Sequence, residues 1–187
     1  LKNPLMVVQP TDYTVKNEKL SVNIKNTPIY SQNNDVTQWD DYPSINRTRR
    51  SAREFSPEAM NDAVMGMLMQ LIVPMSLEVV MIVLQAHSMQ RGVYRKGQLS
   101  MAGDYRRELV HLLLEQRFIA GANIVLLIYA QQFTAHAHIE AGVYAHDMYL
   151  ACEHLGVGCS GIGAFYDEEA LQWSDKPLLY AVAIGGK

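Results

Sequence analysis

The sequence has few cysteines and no long apolar run. Two cysteines among 187 residues do not make the disulfide framework of a secreted domain, so a reducing compartment, the cytoplasm, is the expected location. The longest apolar runs, such as residues 124–130, fall far short of the roughly 20 residues that a membrane-spanning helix needs, so no membrane association is expected. The chain has no charged and then apolar leader, although its first residue, Leu1, leaves a processed N-terminus and export open.

An excess of positive charge is also missing. Lys and Arg number 16 against 19 Asp and Glu, which gives a formal net charge of -3. General nucleic-acid binding relies on clustered cations in excess, so this function is excluded and any anion site must be local. With 49% hydrophobic and 19% charged residues, the chain has the composition of one ordinary globular domain.

The polar first quarter differs from the rest of the chain. Residues 1–45 show no sustained apolar periodicity apart from a short alternating stretch at 20–24. This pattern predicts an extended N-terminal arm with one edge strand, which needs the core of its own chain or of a partner to cover it. Residues 46–187 are predicted to form the folded domain.

Apolar runs and helical spacing alternate through that domain. The runs 77–84, 123–130 and 178–184 predict buried strands, and the turn at 91–94 predicts a further short strand. Helices are predicted over 56–69, with Ser56 as N-cap, over 104–120, and over 139–155, ended by Gly156 and Gly158. Such a mixture predicts an α+β sandwich.

Four arginines lie within residues 47–53, at positions 47, 49, 50 and 53, with Ser51 among them. Guanidinium groups together with a hydroxyl suit a phosphate, because arginine offers a fixed fork of donors and keeps its charge. A solvated basic turn is the alternative. The position just ahead of the predicted helix at Ser56 favours the anion site, because a helix N-terminus attracts negative charge.

A second unusual segment spans residues 156–165, with four glycines in eight residues. Glycine lets the backbone approach a flat ligand closely and leaves N–H groups free to point at it. The spacing is not that of a dinucleotide-binding fingerprint, and the segment follows a predicted helix instead of opening one. The sequence predicts a loop here.

Histidines and cysteines do not form a recognised metal motif. A His-x-His pair at His136 and His138 would share one face of a strand, and His146 and His154 lie two helical turns apart. No three or four of these residues fall at a ligand spacing, so no metal is predicted. Cys152 is expected to pack as a small apolar residue.

Together these segments resemble the nitroreductase superfamily of FMN-dependent enzymes. RRSAREF is similar to its Arg-x-Ser-x-Arg/Lys phosphate motif. IEAGVYAHDMYLACEHLGVGCSGIGAF with the closing AVAIGGK, and the middle segment GVYRKGQLSMAGDYRRELVHLLLEQRFIAGANIVLLI, resemble the SagB-type dehydrogenase branch. The likeness covers roughly residues 47–187. It implies a three-layer sandwich, a central mostly antiparallel sheet flanked by helices, working as a homodimer with FMN at the subunit interface.

The resemblance also implies which residues bind the cofactor. One group would hold the phosphate and ribityl chain, a second would place backbone N–H groups near flavin N5, with Gly163 at that position, and a last basic residue would add a phosphate contact. These residues are Arg49, Arg50, Ser51 and Arg53; Ile162, Gly163 and Ala164; and Lys187. No side chain is expected to act as a general acid.

Three departures from the family pattern bear on the activity. The loop expected before the first central strand is reduced to Pro74-Met75-Ser76, the helix carries His146-Asp147 where the family has Gln-Asn, and residues 131–138 lack the Lys-Tyr pair of azoline-oxidising members. We therefore expect a reductase that passes electrons from NADH, NADPH or another donor through FMN to a small-molecule nitro, quinone or enone-like acceptor. The alternative is a non-catalytic relative that has lost flavin and serves as a partner or maturation subunit.

Overall fold

A computed structural model of the chain describes residues 40–72 and 76–187. Most of the predicted N-terminal arm, and the predicted helix end at Pro74, lie outside these ranges. The last residues assigned to the arm, from Tyr42 onward, form the first turn of a helix. Among the described residues, no helix has the length and apolar character to cross a membrane.

The described elements alternate between helices and strands along the chain. In order they are α1 (Tyr42–Thr48), α2 (Asp62–Leu71), β1 (Glu78–Val83), β2 (Gly92–Arg95), β3 (Gln98–Ala102), α3 (Arg106–Leu112), a 3-10 helix (Arg117–Gly121), β4 (Ile124–Tyr129), α4 (Ala135–His154), β5 (Gly158–Ile162), α5 (Asp167–Ala170) and β6 (Leu178–Gly185).

Six strands form one sheet in the order β3-β2-β1-β4-β6-β5, and every neighbouring pair is antiparallel. Alternate residues of each strand face opposite sides, so Leu126 packs in the core under α2 and α4, whereas Leu127 packs in the core under α3 and α5. The predicted α+β sandwich with an antiparallel sheet between helical layers is confirmed.

The apolar runs mark the central strands correctly. The predicted strands 77–84, 123–130 and 178–184 are β1, β4 and β6, which are neighbours in the middle of the sheet. All six residues of β4 are buried. Helices cover both faces there, so neither face of β4 needs polar residues and the strand reads as a continuous apolar run.

Strand β3 was not predicted. It forms a hairpin with β2 through a two-residue loop, Lys96-Gly97, in which both residues have positive φ, 50° and 76°. This conformation matches the right-handed twist of the paired strands. All five residues of β3 are exposed at the edge of the sheet, so the strand has no buried face to leave an apolar pattern in the sequence.

The predicted helix start at Ser56 is wrong, and the second helix begins at Asp62. Asn61 is its N-cap, because Asn61 Oδ1 accepts a hydrogen bond from the Ala63 N–H at 2.8 Å. The preceding residues are tied to the end of the chain instead. The Ser56 N–H donates to the Gly186 carbonyl at 3.0 Å, and this stretch does not form a helix. Consequently the arginine-rich segment does not lie next to the N-terminus of α2.

The predicted helix 104–120 is interrupted. Helix α3 ends at Leu112, and both Leu114 and Glu115 have positive φ, 56° and 59°. Residues other than glycine rarely adopt this left-handed backbone conformation. Neither glycine nor proline marks the position in the sequence. The chain then resumes as the 3-10 helix.

The long helix α4 starts earlier than predicted. Thr134 is its N-cap, with the side chain accepting from the Ala137 N–H at 3.2 Å, and Gly156, at φ 72°, follows its end as expected. His136 and His138 therefore lie on a helix, which overturns their assignment to a strand.

The glycine-rich segment is a strand and not the predicted loop. Residues Gly158–Ile162 form β5, which pairs with β6 from Gly158↔Gly185 to Ile162↔Ala181. Glycine usually weakens a strand, which is why the sequence pattern indicated a loop. Here the paired glycines leave room for aromatic rings of the same chain, as described below.

Candidate functional site at the edge of strand β5

The arginine-rich segment runs along the outer edge of β5. After α1 ends, Ser51 pairs with Cys159 in an isolated parallel bridge, and the Ala52 N–H donates to the Cys159 carbonyl at 2.8 Å. The fold thus brings together the two sequence segments that the resemblance singled out, the arginines and the glycine-rich stretch.

Arg49 lies against helix α4. Its guanidinium carbon is 5.4 Å from the centroid of the Tyr149 ring, and its Nε atom is buried with no hydrogen-bond partner in the part of the chain that the structure describes. Partial burial and the nearby charge of Arg49 lower the pKa of His146. A buried guanidinium donor without an acceptor is suited to an anionic ligand.

Ser51 joins the same cluster through its hydroxyl. Ser51 Oγ and Tyr149 Oη are 2.7 Å apart, and the Gly161 N–H donates to Tyr149 Oη at 2.6 Å. Tyr149 therefore contacts both the arginine-rich segment and the backbone of β5. No sequence pattern predicts this role, because a tyrosine at helical spacing is most simply a packing residue.

Arg53 contacts different side chains from Arg49. Its Nη1 donates to Ser160 Oγ at 3.0 Å, and its guanidinium carbon lies 5.7 Å from the centroid of the Phe118 ring. Ser160 is fully buried, so this hydrogen bond satisfies a polar group inside the protein, whereas Arg53 itself belongs to the exposed residues.

The side chain of Arg50 folds back onto the C-terminal end of α1. Its Nη1 donates to the carbonyls of Arg47, at 2.9 Å, and Arg49, at 2.7 Å. These carbonyls belong to the C-terminal end of α1, where a positive charge is favourable. Arg50 is thus engaged in capping α1.

Lys187 reaches the neighbourhood of this segment but is already paired. Its Nζ lies 2.7 Å from Glu153 Oε2 near the end of α4. The hydrogen bond to Lys187, a hydrogen bond to Thr48 and the charge of Arg50 hold the pKa of Glu153 below its usual value. The carboxylate of Glu153 therefore offsets part of the positive charge here.

Ile162, Gly163 and Ala164 follow one another at the end of β5. Ile162 is buried, whereas Gly163 and Ala164 are exposed. Within the described ranges, the N–H groups of Gly163 and Ala164 have no acceptor. Two adjacent free N–H groups on an exposed backbone can face a ligand.

The glycines of the segment serve mainly the protein's own packing. A Cβ on Gly161 would lie 2.4 Å from Tyr180 Oη, and one on Gly185 would lie 2.8 Å from the Phe55 ring. The Phe55 ring also lies 3.2 Å from the position of a Cβ on Gly158. The expectation that these glycines leave space for a flat ligand is therefore wrong at Gly161 and Gly158, where aromatic side chains take the space.

The other candidate residues form no separate site. Cys152 and Cys159 are buried, unpaired thiols, and burial together with a hydrogen bond to Cys159 raises the pKa of Cys152. Among the described residues, no three His, Cys, Asp or Glu side chains gather as metal ligands. A depression of about 660 Å³ lies between α3 and the 3-10 helix, and its lining, which includes Arg107 and Arg117, contains no residue of the arginine-rich segment or β5.

The chain is an α+β protein in which an antiparallel sheet lies between helical layers. A segment that contains arginines and a serine lies beside the edge strand β5. The sequence profile of the Nitroreductase family matches residues 47–186. The chain therefore belongs to the nitroreductase family.

Individual relatives agree with this assignment. A provisionally named nitroreductase of Methanocaldococcus jannaschii is 38% identical over 85 residues, which is 38% of this chain and 43% of that protein. A provisionally named nitroreductase from Anabaena variabilis superposes with a TM-score of 0.69 at 22% identity, over 78% of this chain and 38% of that one. The chain thus spans less than half the length of these two relatives.

A third relative matches over most of its own length. The provisionally named nitroreductase from Desulfovibrio desulfuricans was solved in complex with FMN, and it superposes with a TM-score of 0.57 at 16% identity. The match covers 86% of that protein and 79% of this chain. At such identities the likeness to solved structures establishes the fold.

Proposed function

We propose that this protein is an FMN-dependent oxidoreductase. The observation that carries the proposal is the buried, unpartnered Nε of Arg49 beside the Ser51 hydroxyl. A donor left without an acceptor inside a protein is costly, and a phosphate oxygen would satisfy it. FMN in complex with the Desulfovibrio desulfuricans relative supports this choice of ligand.

Different residues of the site would bind different parts of the cofactor. Arg49, Ser51 and Arg53 would hold the phosphate and ribityl chain, while the free N–H groups of Gly163 and Ala164 would face the ring near N5, stabilising negative charge there. Lys187 could join the phosphate only by sharing its charge with Glu153. FMN, when bound, supplies the electron transfer, so no side chain needs to act as a general acid.

The same proposal covers the reaction partners and the location. NADH, NADPH or another donor provides electrons, and a small nitro, quinone or enone-like compound accepts them, in keeping with the family.

The two buried thiols, unpaired in the structure, support a reducing compartment, the cytoplasm. A homodimer is proposed because exposed apolar side chains lie on α2 and at the start of α4: Met67, Phe133 and Ile139.

A non-catalytic relative without flavin is the second candidate. It is favoured by the short connection between α2 and β1, since only the six residues 72–77 separate these elements. The family places a flavin contact in a longer loop there. The absorbance spectrum of the pure protein separates the two candidates: a flavin spectrum supports the oxidoreductase, and protein that stays colourless after incubation with FMN supports the second.

Arg49→Ala should weaken FMN binding by about 10- to 100-fold, because a charge-assisted hydrogen bond contributes about 1.5–3 kcal/mol. Titration of FMN with quenching of flavin fluorescence measures this. Arg107→Ala is the matched control, since Arg107 is an exposed arginine on α3 and should leave the affinity unchanged. Equal affinities for wild type and Arg49→Ala would contradict the proposed phosphate site.

A further inference from the structure

Tyr149 connects three separate parts of the candidate site. Its ring, on α4, lies beside the guanidinium of Arg49. Its hydroxyl is 2.7 Å from Ser51 Oγ and 2.6 Å from the backbone nitrogen of Gly161. The sequence resemblance assigned no role to this residue.

The direction of one hydrogen bond at Tyr149 is fixed, whereas either hydroxyl can be the donor in the bond between Tyr149 and Ser51. The Gly161 N–H can only donate, so Tyr149 Oη accepts that bond. The single proton of the phenol is then available for Ser51 Oγ. When Ser51 accepts it, the proton of the serine hydroxyl is free to point at another acceptor, and each bond in such a chain strengthens the next.

The ring of Tyr149 contacts the guanidinium of Arg49, which is the second hydrogen-bond donor of the site. A guanidinium beside an aromatic face is held by the negative potential of that face. Arg49 is therefore fixed in place by a contact that consumes none of its N–H groups, and its Nε stays available.

We infer that Tyr149 is a positioning residue that presents the Ser51 hydroxyl and the Arg49 guanidinium to the phosphate of the bound flavin. This inference rests on the proposed function. It predicts that the tyrosine contributes specifically to recognition of the phosphate group and not to binding of the flavin ring.

The comparison of FMN with riboflavin, which lacks the phosphate, tests this specificity. Tyr149→Phe keeps the ring beside Arg49 and removes only the hydroxyl. It should weaken FMN binding by about tenfold and leave riboflavin binding unchanged, so the preference for FMN falls. Tyr149→Leu, which also removes the ring, should lose more of that preference.

Tyr94→Phe is the matched control. It removes another tyrosine hydroxyl that donates to a backbone carbonyl, that of Gln90, at 2.8 Å, on strand β2 away from β5. A general loss of stability would affect both variants, whereas the preference for FMN over riboflavin should fall only in Tyr149→Phe. Faster amide exchange at Gly161 in flavin-free Tyr149→Phe provides a readout that does not depend on the cofactor.

A double-mutant cycle tests whether the tyrosine acts through Ser51. Ser51→Ala should lower the preference for FMN, and adding Tyr149→Phe to it should cause little further loss. Fully additive losses, or an unchanged preference in Tyr149→Phe, overturn the inference and leave the proposed function standing. Wild-type protein that binds neither FMN nor riboflavin overturns both. Should Tyr149→Phe fail to fold, Ser51→Ala with an unchanged preference overturns the inference equally.

Discussion

Tyr180 and Phe55 show how single residues shape the edge of the sheet. The Tyr180 ring lies over Gly161 of β5 and the Phe55 ring lies over Gly185 of β6, and an added side chain would collide with the ring at each position. The resemblance assigned Arg49 and Ser51 to a phosphate site, but the sequence could not predict that the space above Gly161 is filled by Tyr180. That contact joins residues of two strands and depends on the register of their pairing.

Gly161→Ala should destabilise the protein by about 1–3 kcal/mol, because the new methyl group forces the Tyr180 ring to move. Urea unfolding measures the change. Gly142→Ala is the control: Gly142 lies on an exposed position of α4 with no atom within 4 Å of an added Cβ, so alanine there should stabilise by about 0.5–1 kcal/mol. Equal stabilities of Gly161→Ala and wild type would show that the ring moves aside freely.

Secondary-structure elements were predictable where burial leaves a pattern. Strands β1, β4 and β6 are covered on both faces and show as apolar runs, whereas the exposed β3 and the glycine-containing β5 show none. The start of α2 was misplaced for another reason. Ser56 and Pro57 form a good local signal, but hydrogen bonds to Gly186 and Gln85 hold these residues out of a helix, and distant partners cannot be seen in local sequence.

Asn61→Ala should destabilise the protein by about 1 kcal/mol, because it removes the acceptor for the Ala63 N–H at the start of α2. Thermal or urea unfolding measures this. Asn61→Asp keeps an acceptor and should retain most of the stability. Ser56→Ala should cost less than Asn61→Ala, since the Ser56 hydroxyl accepts only a long contact of 3.4 Å from Glu58. The reverse order would restore Ser56 as the helix cap.

At the scale of the whole molecule, two large apolar side chains are exposed at the start of α4. Phe133 is 71% exposed and Ile139 is 60% exposed, both at the start of α4. Large apolar side chains exposed on a surface are suited to a protein interface. Neither the sequence nor the fold of one chain determines the oligomeric state, because the partner surface belongs to a second molecule.

Phe133→Glu combined with Ile139→Glu should convert the proposed homodimer to a monomer, because buried charges without partners oppose association. Light scattering coupled to size-exclusion chromatography measures the mass. Leu171→Glu is the control, since Leu171 is similarly exposed, at 56%, but lies next to α5 on the other face of the sheet. A wild-type protein that is monomeric at every concentration would contradict the dimer.

The contact between Arg53 and Ser160 spans 107 positions of the sequence, which has a consequence for biosynthesis. While the polypeptide emerges from the ribosome, the arginines are made long before β5 and β6 exist. A nascent chain that ends ahead of Gly158 has no edge strand for Ser51 to pair with. The contacts of Ser51 with Cys159 and of Arg53 with Ser160 therefore form only after β5 has been synthesised.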